Sequence, residues 1–416
     1  MTTTGGASSR LADGQLDPRG ADDLVEAIWS LRRDLEEAAV RAEELRTLPP
    51  EIVAHLRDLG LFWLKTPAEL GGRPLHPLAF SDVLEAVAYC DASAAWATMI
   101  GCGSTGIAAG GLSDAGAARV FGSGEGLPVV AGQPQPRGRA VLDGDAVVIS
   151  GRWSFASGIH HSNWVLGAAT VQDAPAEGPQ ALAFVIEKDK ATVYDNWHVA
   201  GLEGTGSSDF SLEEVPVPRD LTFARPNPRA ALSGASRTSG PPRRGGPLFN
   251  QQGLLFVANE VPGFCVGVAL RAIDDMTALA SQTVRFFGGV SLADRAVFQK
   301  ELALAKTKVN AARLYYRDAI GQAFEATAVG KDIPVEALQA AALSQPYVAE
   351  TCVEVVSDLF RFGGGRALAL SHPMQRHLRN LLAARQHGAA TEAHYENTGR
   401  AMLEEWRSRH GEGSGE

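Results

Sequence analysis

Apolar residues recur three and four positions apart, with charge on the opposite face, along "DDLVEAIWSLRRDLEEAAVRAEEL" from Asp22. That spacing predicts an amphipathic helix. "LPPEIVAHLRDLGLFWL" places Pro50 at a helix start and Gly60 at its end. "HPLAFSDVLEAVAYCDASAAWATMIGCG" continues as one or two buried helices of small residues. Near Leu127 the period changes. "GDAVVISGRWSFASG", "NWVLGAATV", "ALAFVIEKD", "ATVYDNWHV" and "DFSLEEVPVP" are short β-rich runs separated by Gly, Asp and Pro. They predict an antiparallel sheet or barrel. Residues 226–247, "PNPRAALSGASRTSGPPRRGGP", are turn-forming and predict a surface loop. Helical periodicity then resumes, with candidate helices near 254–281, 293–328, 334–360 and 374–407. Their lengths and apolar stripes suit a helix bundle.

The predicted fold is α+β and multidomain. Residues 1–21 read as a disordered leader, 22–126 as an N-terminal helical domain and 127–225 as a β-barrel or sheet domain. Residues 226–250 form a flexible loop, 251–407 a C-terminal four-helix bundle and 408–416 a tail.

Composition narrows the function more than the fold. With 38 Lys and Arg against 48 Asp and Glu, the net charge is −10. A concentrated basic face for nucleic acid is not expected. No apolar run reaches the roughly 18 residues of a membrane span. The longest, "LLFVANEVPGFCVGVAL", is interrupted by Glu260 and Pro262. The N-terminus lacks the apolar core of a signal peptide. Cys90, Cys102, Cys265 and Cys352 form no C-x-x-C pair. Neither zinc nor a disulfide framework is suggested, and a reducing cytoplasm is the expectation.

Four stretches carry candidate chemistry. In "SGRWSFASGIHHSNWVLGAA", strand alternation sends Trp153, Phe155 and Ser157 to one face. They could form a wall and one donor for a flat heteroaromatic ring, or simply a half-buried strand. His160 and His161 have no supporting ligand nearby in sequence and read as solvated or pocket-lining rather than metal-binding. "GLEGTGSSDFSLEEVPVP", which contains Thr205, lacks the G-x-G-x-x-G arrangement before a helix, so a Rossmann site is disfavoured and a pocket-lining turn preferred. "RFGGGRALAL", with Gly363, Gly364 and Gly365, either brings backbone amides to a ligand or is a plain interhelical turn. "RHLRNLLAARQHGAATEAH" thins to alanine around His387, for close helix packing or to leave room for a ligand. His387 and His394, seven apart on a continuous helix, would stand about 10 Å apart, too far for one metal ion. No metal site is expected.

The α–β–α order, "SGRWSFASG…NW", "VRFFGG…LADRAVFQKELALAKTKVNAARLYY" and "FGGG…HPMQRHLRN" together resemble the acyl-CoA dehydrogenase fold over about Asp22 to Leu403. By that resemblance Phe155 and Ser157 take the places of the tryptophan and threonine beside the flavin, with Ser157 donating near flavin N5. Trp164 matches the tryptophan that follows. Arg285 resembles the arginine that reaches flavin phosphate, and Gly363, Gly364 and Gly365 resemble the turn near the cofactor. Many dehydrogenases of the fold carry a glutamate base twelve residues after the first basic residue of R-x-x-R-D. Here that position is Gly388, preceded by His387. This resembles the reduced-flavin monooxygenase branch, although Asn380 stands where aspartate is common and Glu203 where arginine is common.

The resemblance implies the oxygenase component of a two-component flavin-dependent monooxygenase. It would use FMNH2 or FADH2 and O2, and hydroxylate or N-oxygenate a small, aromatic or natural-product substrate through a flavin C4a-hydroperoxide. His387 and Ser157 would be catalytic, with His387 accepting a phenol proton. His160, His161, Trp164, Thr205 and Thr391 would line the substrate pocket. Implied partners are a separate NAD(P)H:flavin reductase and further copies of the chain in a tetramer or dimer. The alternatives are a flavin dehydrogenase or oxidase with a relocated base, Glu392 being nearest, and a catalytically silent scaffold.

Overall fold

The structure is a computed structural model that describes residues 16–122, 126–174, 179–224, 244–250, 256, 260–282, 290–329 and 333–410. Arg285, most of the expected leader and most of the 226–250 loop lie outside the described residues. Within the expected leader, Leu16 and Ala21 are buried. Leu16 packs with Leu248, Phe249, Phe256 and Phe324, so the chain is anchored from that leucine onward.

The N-terminal helices are α1 (Asp22–Ser30), α2 (Arg32–Leu45), α3 (Pro50–Asp58), α4 (Pro77–Cys90), α5 (Ala92–Gly111) and α6 (Asp114–Phe121). α3 opens on Pro50 and ends before Gly60, whose φ of 69° closes the turn as expected. α5 is almost wholly buried, and its Asp91 N-cap accepts from the Ala94 N–H at 2.5 Å. A helix so poor in bulk admits close neighbours: Phe62, in the short 3-10 turn Leu61–Trp63, lies against Gly101, and Phe256 against Gly106.

The middle of the chain forms one seven-stranded sheet in the order β5-β6-β2-β1-β3-β4-β7. The strands are β1 (Val130–Asp143), β2 (Ala146–Trp153), β3 (Trp164–Val171), β4 (Ala181–Glu187), β5 (Thr192–Val193), β6 (Phe210–Pro218) and β7 (Thr222–Ala224). The sheet was expected to be antiparallel throughout, but β1 pairs with β3 in parallel, Val130 opposite Trp164. β1 is hard to see in the sequence because its prolines break the alternation. The β1–β3 register shifts between Gly132 and Gly138 accommodate them. Trp153 fills the centre of the sheet core, stacked 5.1 Å from Phe210, and its indole N–H donates to the Ala168 carbonyl at 2.9 Å.

The C-terminal helices are α7 (Val261–Gln282), α8 (Ala296–Ala328), α9 (Val335–Phe360), α10 (Pro373–Ala384) and α11 (Ala393–His410). The expected fourth helix, 374–407, is two helices. The chain leaves the α-helix after Ala384, and His387 adopts an extended ψ of 141° before the short 3-10 turn Gly388–Ala390. Gly388 and the loss of bulky packing residues give the chain no reason to continue helically there.

Where the N-terminal helices meet α7, Lys65 and Glu260 form a fully buried ion pair at 2.5 Å. The ammonium also donates to the Phe256 carbonyl and lies 5.4 Å from the Phe80 ring centroid. Burial pushes the Glu260 carboxyl up from its usual range, and the lysine beside it opposes that shift. Replacing Lys65 with Met should cost about 3–5 kcal/mol, because it strands a carboxylate in an apolar interior. Adding Glu260→Leu should recover most of that loss. Urea unfolding of the two variants checks both statements.

A hydroxyl cluster and an imidazole between sheet and bundle

β2 ends at Trp153, so the alternation expected through Ser157 stops there. Phe155 takes a left-handed φ of 64° and remains 57% exposed, with its ring edge-on to Trp197. A bulky residue in that region is strained by about 1–3 kcal/mol and needs surrounding structure to hold it. Here the Ser157 N–H donates to the Phe155 carbonyl at 3.0 Å, and the Ala156 N–H donates to the Ser208 carbonyl at 3.2 Å. The effect is to turn an aromatic face outward beside a buried serine. A tight turn, not the strand face expected here, sets Phe155 outward and Ser157 inward.

Ser157 Oγ lies 2.7 Å from Ser207 Oγ, and Ser207 Oγ lies 2.7 Å from Thr205 Oγ1. Thr205 in turn donates to the Leu202 carbonyl at 2.7 Å. Leu202 is also left-handed, with φ of 58°. Its N–H donates to Asn380 Oδ1 of α10 at 2.8 Å, and its carbonyl also accepts from the Trp197 indole at 3.1 Å. Asn380 therefore ties the bundle to the loop that carries the hydroxyls. Gly201 permits the approach, since a Cβ there would meet the Arg379 carbonyl at 2.2 Å. Leu202 and Ser207 were absent from the sequence-based candidates. The string "GLEGTGSS" advertises a turn but not which of its hydroxyls point inward.

His387 is half-buried and packs edge-on against Trp96 of α5, ring centroids 5.5 Å apart. Its Nδ1 accepts from the Ala389 N–H at 3.3 Å. Burial lowers its pKa from the ordinary histidine value. The ring is therefore neutral at pH 7, with the proton on Nε2. Trp96 was not anticipated; the small-residue run around it was the signal. Ser93, one turn before Trp96, lies against Gly204 of the hydroxyl loop, so α5 joins the two halves of the site.

The remaining candidates divide. His160 is exposed, its Nε2 3.2 Å from Ser208 Oγ. His161 lies against Gly158 and Phe62, both ring nitrogens buried without a partner. Burial, reinforced by Arg57, pushes its pKa down to about 3. Trp164 is packed into the sheet core. Thr391 Oγ1 accepts from the Ala393 N–H at 3.3 Å and so caps α11. Gly363, Gly364 and Gly365 lie before α10, the opposite end from His387, separated by the ~18 Å of a twelve-residue helix. A Cβ on Gly364 or Gly365 would meet nothing. Glu203 sits among Glu43, Arg379 and Arg46, and burial and Glu43 raise its pKa. Among the described residues no three metal-ligating side chains cluster.

Residues 29–118 match the acyl-CoA dehydrogenase N-terminal domain, and residues 262–392 match the acyl-CoA dehydrogenase C-terminal domain. The chain belongs to the acyl-CoA dehydrogenase superfamily, on its flavin-dependent monooxygenase branch. It is 25% identical to an indole-3-acetate monooxygenase of Pseudomonas putida over 85% of this chain and 87% of that one. It is 26% identical to the oxygenase subunit of a flavin-dependent monooxygenase of Mycobacterium tuberculosis, covering 89% and 92% of the two chains. Among solved structures it shares the fold of XiaF from Streptomyces in complex with FADH2 and glycerol, with a TM-score of 0.82 and 21% identity over 92% and 95% of the chains.

The unpartnered His161 has a consequence for stability. Its folded pKa lies below its unfolded value near 6.5, so the unfolded chain binds more protons as pH falls through that range. The contribution is fully present above about pH 6.5 and is lost on acidification. Asp91, which burial pushes up to about 6, works in the opposite direction. His161→Phe should therefore flatten the fall in unfolding midpoint between pH 7 and pH 5 relative to the parent protein. Thermal melts across that range read it directly.

Proposed function

We propose that this protein is the oxygenase component of a two-component monooxygenase that puts one oxygen atom onto a small aromatic substrate. The observation that carries this reading is His387: a neutral imidazole against Trp96, beside the position where the dehydrogenases of the fold place a carboxylate base. The relocated base, Glu392, finds no support. It is exposed and lies 3.6 Å from Arg385 in an ion pair. Relatives named as oxygenase subunits and an indole acid oxygenase favour an aromatic substrate and a separate NAD(P)H-dependent flavin reductase.

Bound reduced flavin, FMNH2 or FADH2, together with O2 would supply the transferred oxygen atom. Its fit rests on Phe155, held outward in a strained conformation, and on Ser157, which keeps a buried oxygen beside that ring. Phe155 offers an apolar wall to a flat ring system, and Ser157 the polar contact at its edge. His387 then acts on the substrate. The resemblance implied a proton acceptor, whereas the Ala389 N–H occupies Nδ1 and leaves the proton on Nε2. That group donates to a phenolic or carboxylate oxygen, orients the ring and stabilises negative charge as it develops there. Trp96, backed by Phe264, covers one side of the ring with apolar surface.

Several wider readings go with this function. No described helix is long and apolar enough to cross a membrane. The four cysteines are free and buried, which suits a reducing cytoplasm. Leu368, Leu370, Met402 and Trp406 are more than half exposed and suit contact with further copies of the chain.

Reconstitution with a generic flavin reductase, NADH, O2 and a panel of phenols and indoles tests the assignment. Product should form only when all are present, and bleaching by an acyl-CoA instead would overturn it. His387→Ala should lower the hydroxylation rate by on the order of 10²-fold while reduced flavin still binds. The pH profile of the parent enzyme, measured with saturating reduced flavin, should be flat above pH 7. Its acid limb should lie below about 6.5, where a proton on Nδ1 would break the Ala389 hydrogen bond that positions the ring.

A further inference from the structure

The hydroxyl chain that ends on the Leu202 carbonyl has only one consistent arrangement of protons. A carbonyl oxygen only accepts, so Thr205 spends its single proton on Leu202 at 2.7 Å. Thr205 can then take part in its 2.7 Å contact with Ser207 only as acceptor, which makes Ser207 the donor. By the same step Ser157 must donate across the 2.7 Å contact to Ser207. The three hydroxyls are buried, at 5%, 1% and 3% exposure for Ser157, Thr205 and Ser207, so water does not compete for these protons. The Asn380 amide and the Trp197 indole hold Leu202 in its left-handed conformation and so hold the terminal acceptor in place. Ser157 is left with lone pairs and no free proton.

From this arrangement we infer that the relay Ser157–Ser207–Thr205–Leu202 selects the redox state of the flavin. The inference rests on the flavin reading of the site given above. Reduced flavin carries N5–H, a donor, whereas oxidised flavin has an N5 lone pair, an acceptor. A serine that can only accept matches the first and opposes the second. To serve oxidised flavin, Ser157 must withdraw its proton from Ser207, which breaks that one buried link and leaves the Ser207–Thr205–Leu202 bonds in place. This reverses the donor role that the resemblance implied for Ser157. Ser207 and Thr205 are positioning residues: they act only by fixing which way the Ser157 proton points. The benefit is functional. A spent, oxidised flavin leaves readily, and the reduced form delivered by the reductase is retained.

Equilibrium binding tests the relay without turnover. Oxidised FAD and FMN are titrated aerobically, and the dithionite-reduced forms anaerobically, with flavin fluorescence or absorbance as readout. The parent protein should bind the reduced form more tightly. Ser207→Ala and Thr205→Val each free the Ser157 proton, so the ratio of oxidised to reduced Kd should narrow by about five- to tenfold, the worth of one hydrogen bond. Thr205→Ser keeps the hydroxyl and should keep the ratio. Circular dichroism verifies folding, and the near-isosteric Thr205→Val carries the test if Ser207→Ala does not fold. An unchanged ratio in the folded variants overturns the relay and leaves the monooxygenase reading standing, as does an equal loss in Thr205→Ser. Failure of the parent protein to bind flavin in either redox state overturns both.

Discussion

The site depends on one hydrogen bond, from the Leu202 N–H to Asn380 Oδ1. Leucine in the left-handed region is uncommon and costs on the order of 1–3 kcal/mol, so the loop does not hold that shape alone. α10 supplies the acceptor, Gly201 allows the loop to touch its backbone, and Trp197 closes the other side. A neutral amide suits this place. An aspartate would accept equally well but would bring a charge into a buried junction that also carries Glu43 and Glu203. The carboxylates already present are balanced by Arg379, which lies 2.9 Å from Glu43 and 3.7 Å from Glu203.

From that junction two consequences run outward. In one direction the fixed carbonyl of Leu202 orders three hydroxyls and ends on Ser157. In the other, α10 stops four residues after Asn380 and delivers His387 to Trp96. The helix break matters for chemistry. Had the helix continued, the imbalance of backbone donors and acceptors near His387 would have gone to the next turn. Because it stops, the Ala389 N–H turns back onto Nδ1 and fixes the tautomer. Burial keeps both His387 and His161 neutral, so neither ring brings a charge to this side of the chain at pH 7.

Two further charged networks lie away from the hydroxyl chain. Arg271, Glu36, Asp275 and His377 form a network between α2, α7 and α10, with His377 Nε2 2.7 Å from Asp275. Lys65 and Glu260 are enclosed beneath α5. Both networks join elements distant in sequence, a structural task, while the exposed Phe155 and its buried serine remain uncharged.

Much of this protein was determined locally and could be read from its sequence. Helical spacing, the Pro50 start and the Gly60 stop predict α3 because capping and periodicity act within a few residues. The strand runs from Ala146, Trp164, Ala181 and Phe210 are equally local. Gly388 in the place of the dehydrogenases' glutamate could also be read, though it pointed to oxygen transfer only through the family resemblance. The tertiary structure alone decided what depends on partners far along the chain. β1 is a strand because β2 and β3 supply partners its prolines would otherwise deter. His387 meets Trp96, nearly three hundred residues earlier, in a contact that no local pattern specifies. The direction of the Ser157 proton is set by a carbonyl whose position is held from α10, and no pattern of nearby side chains encodes a hydrogen bond across 178 residues.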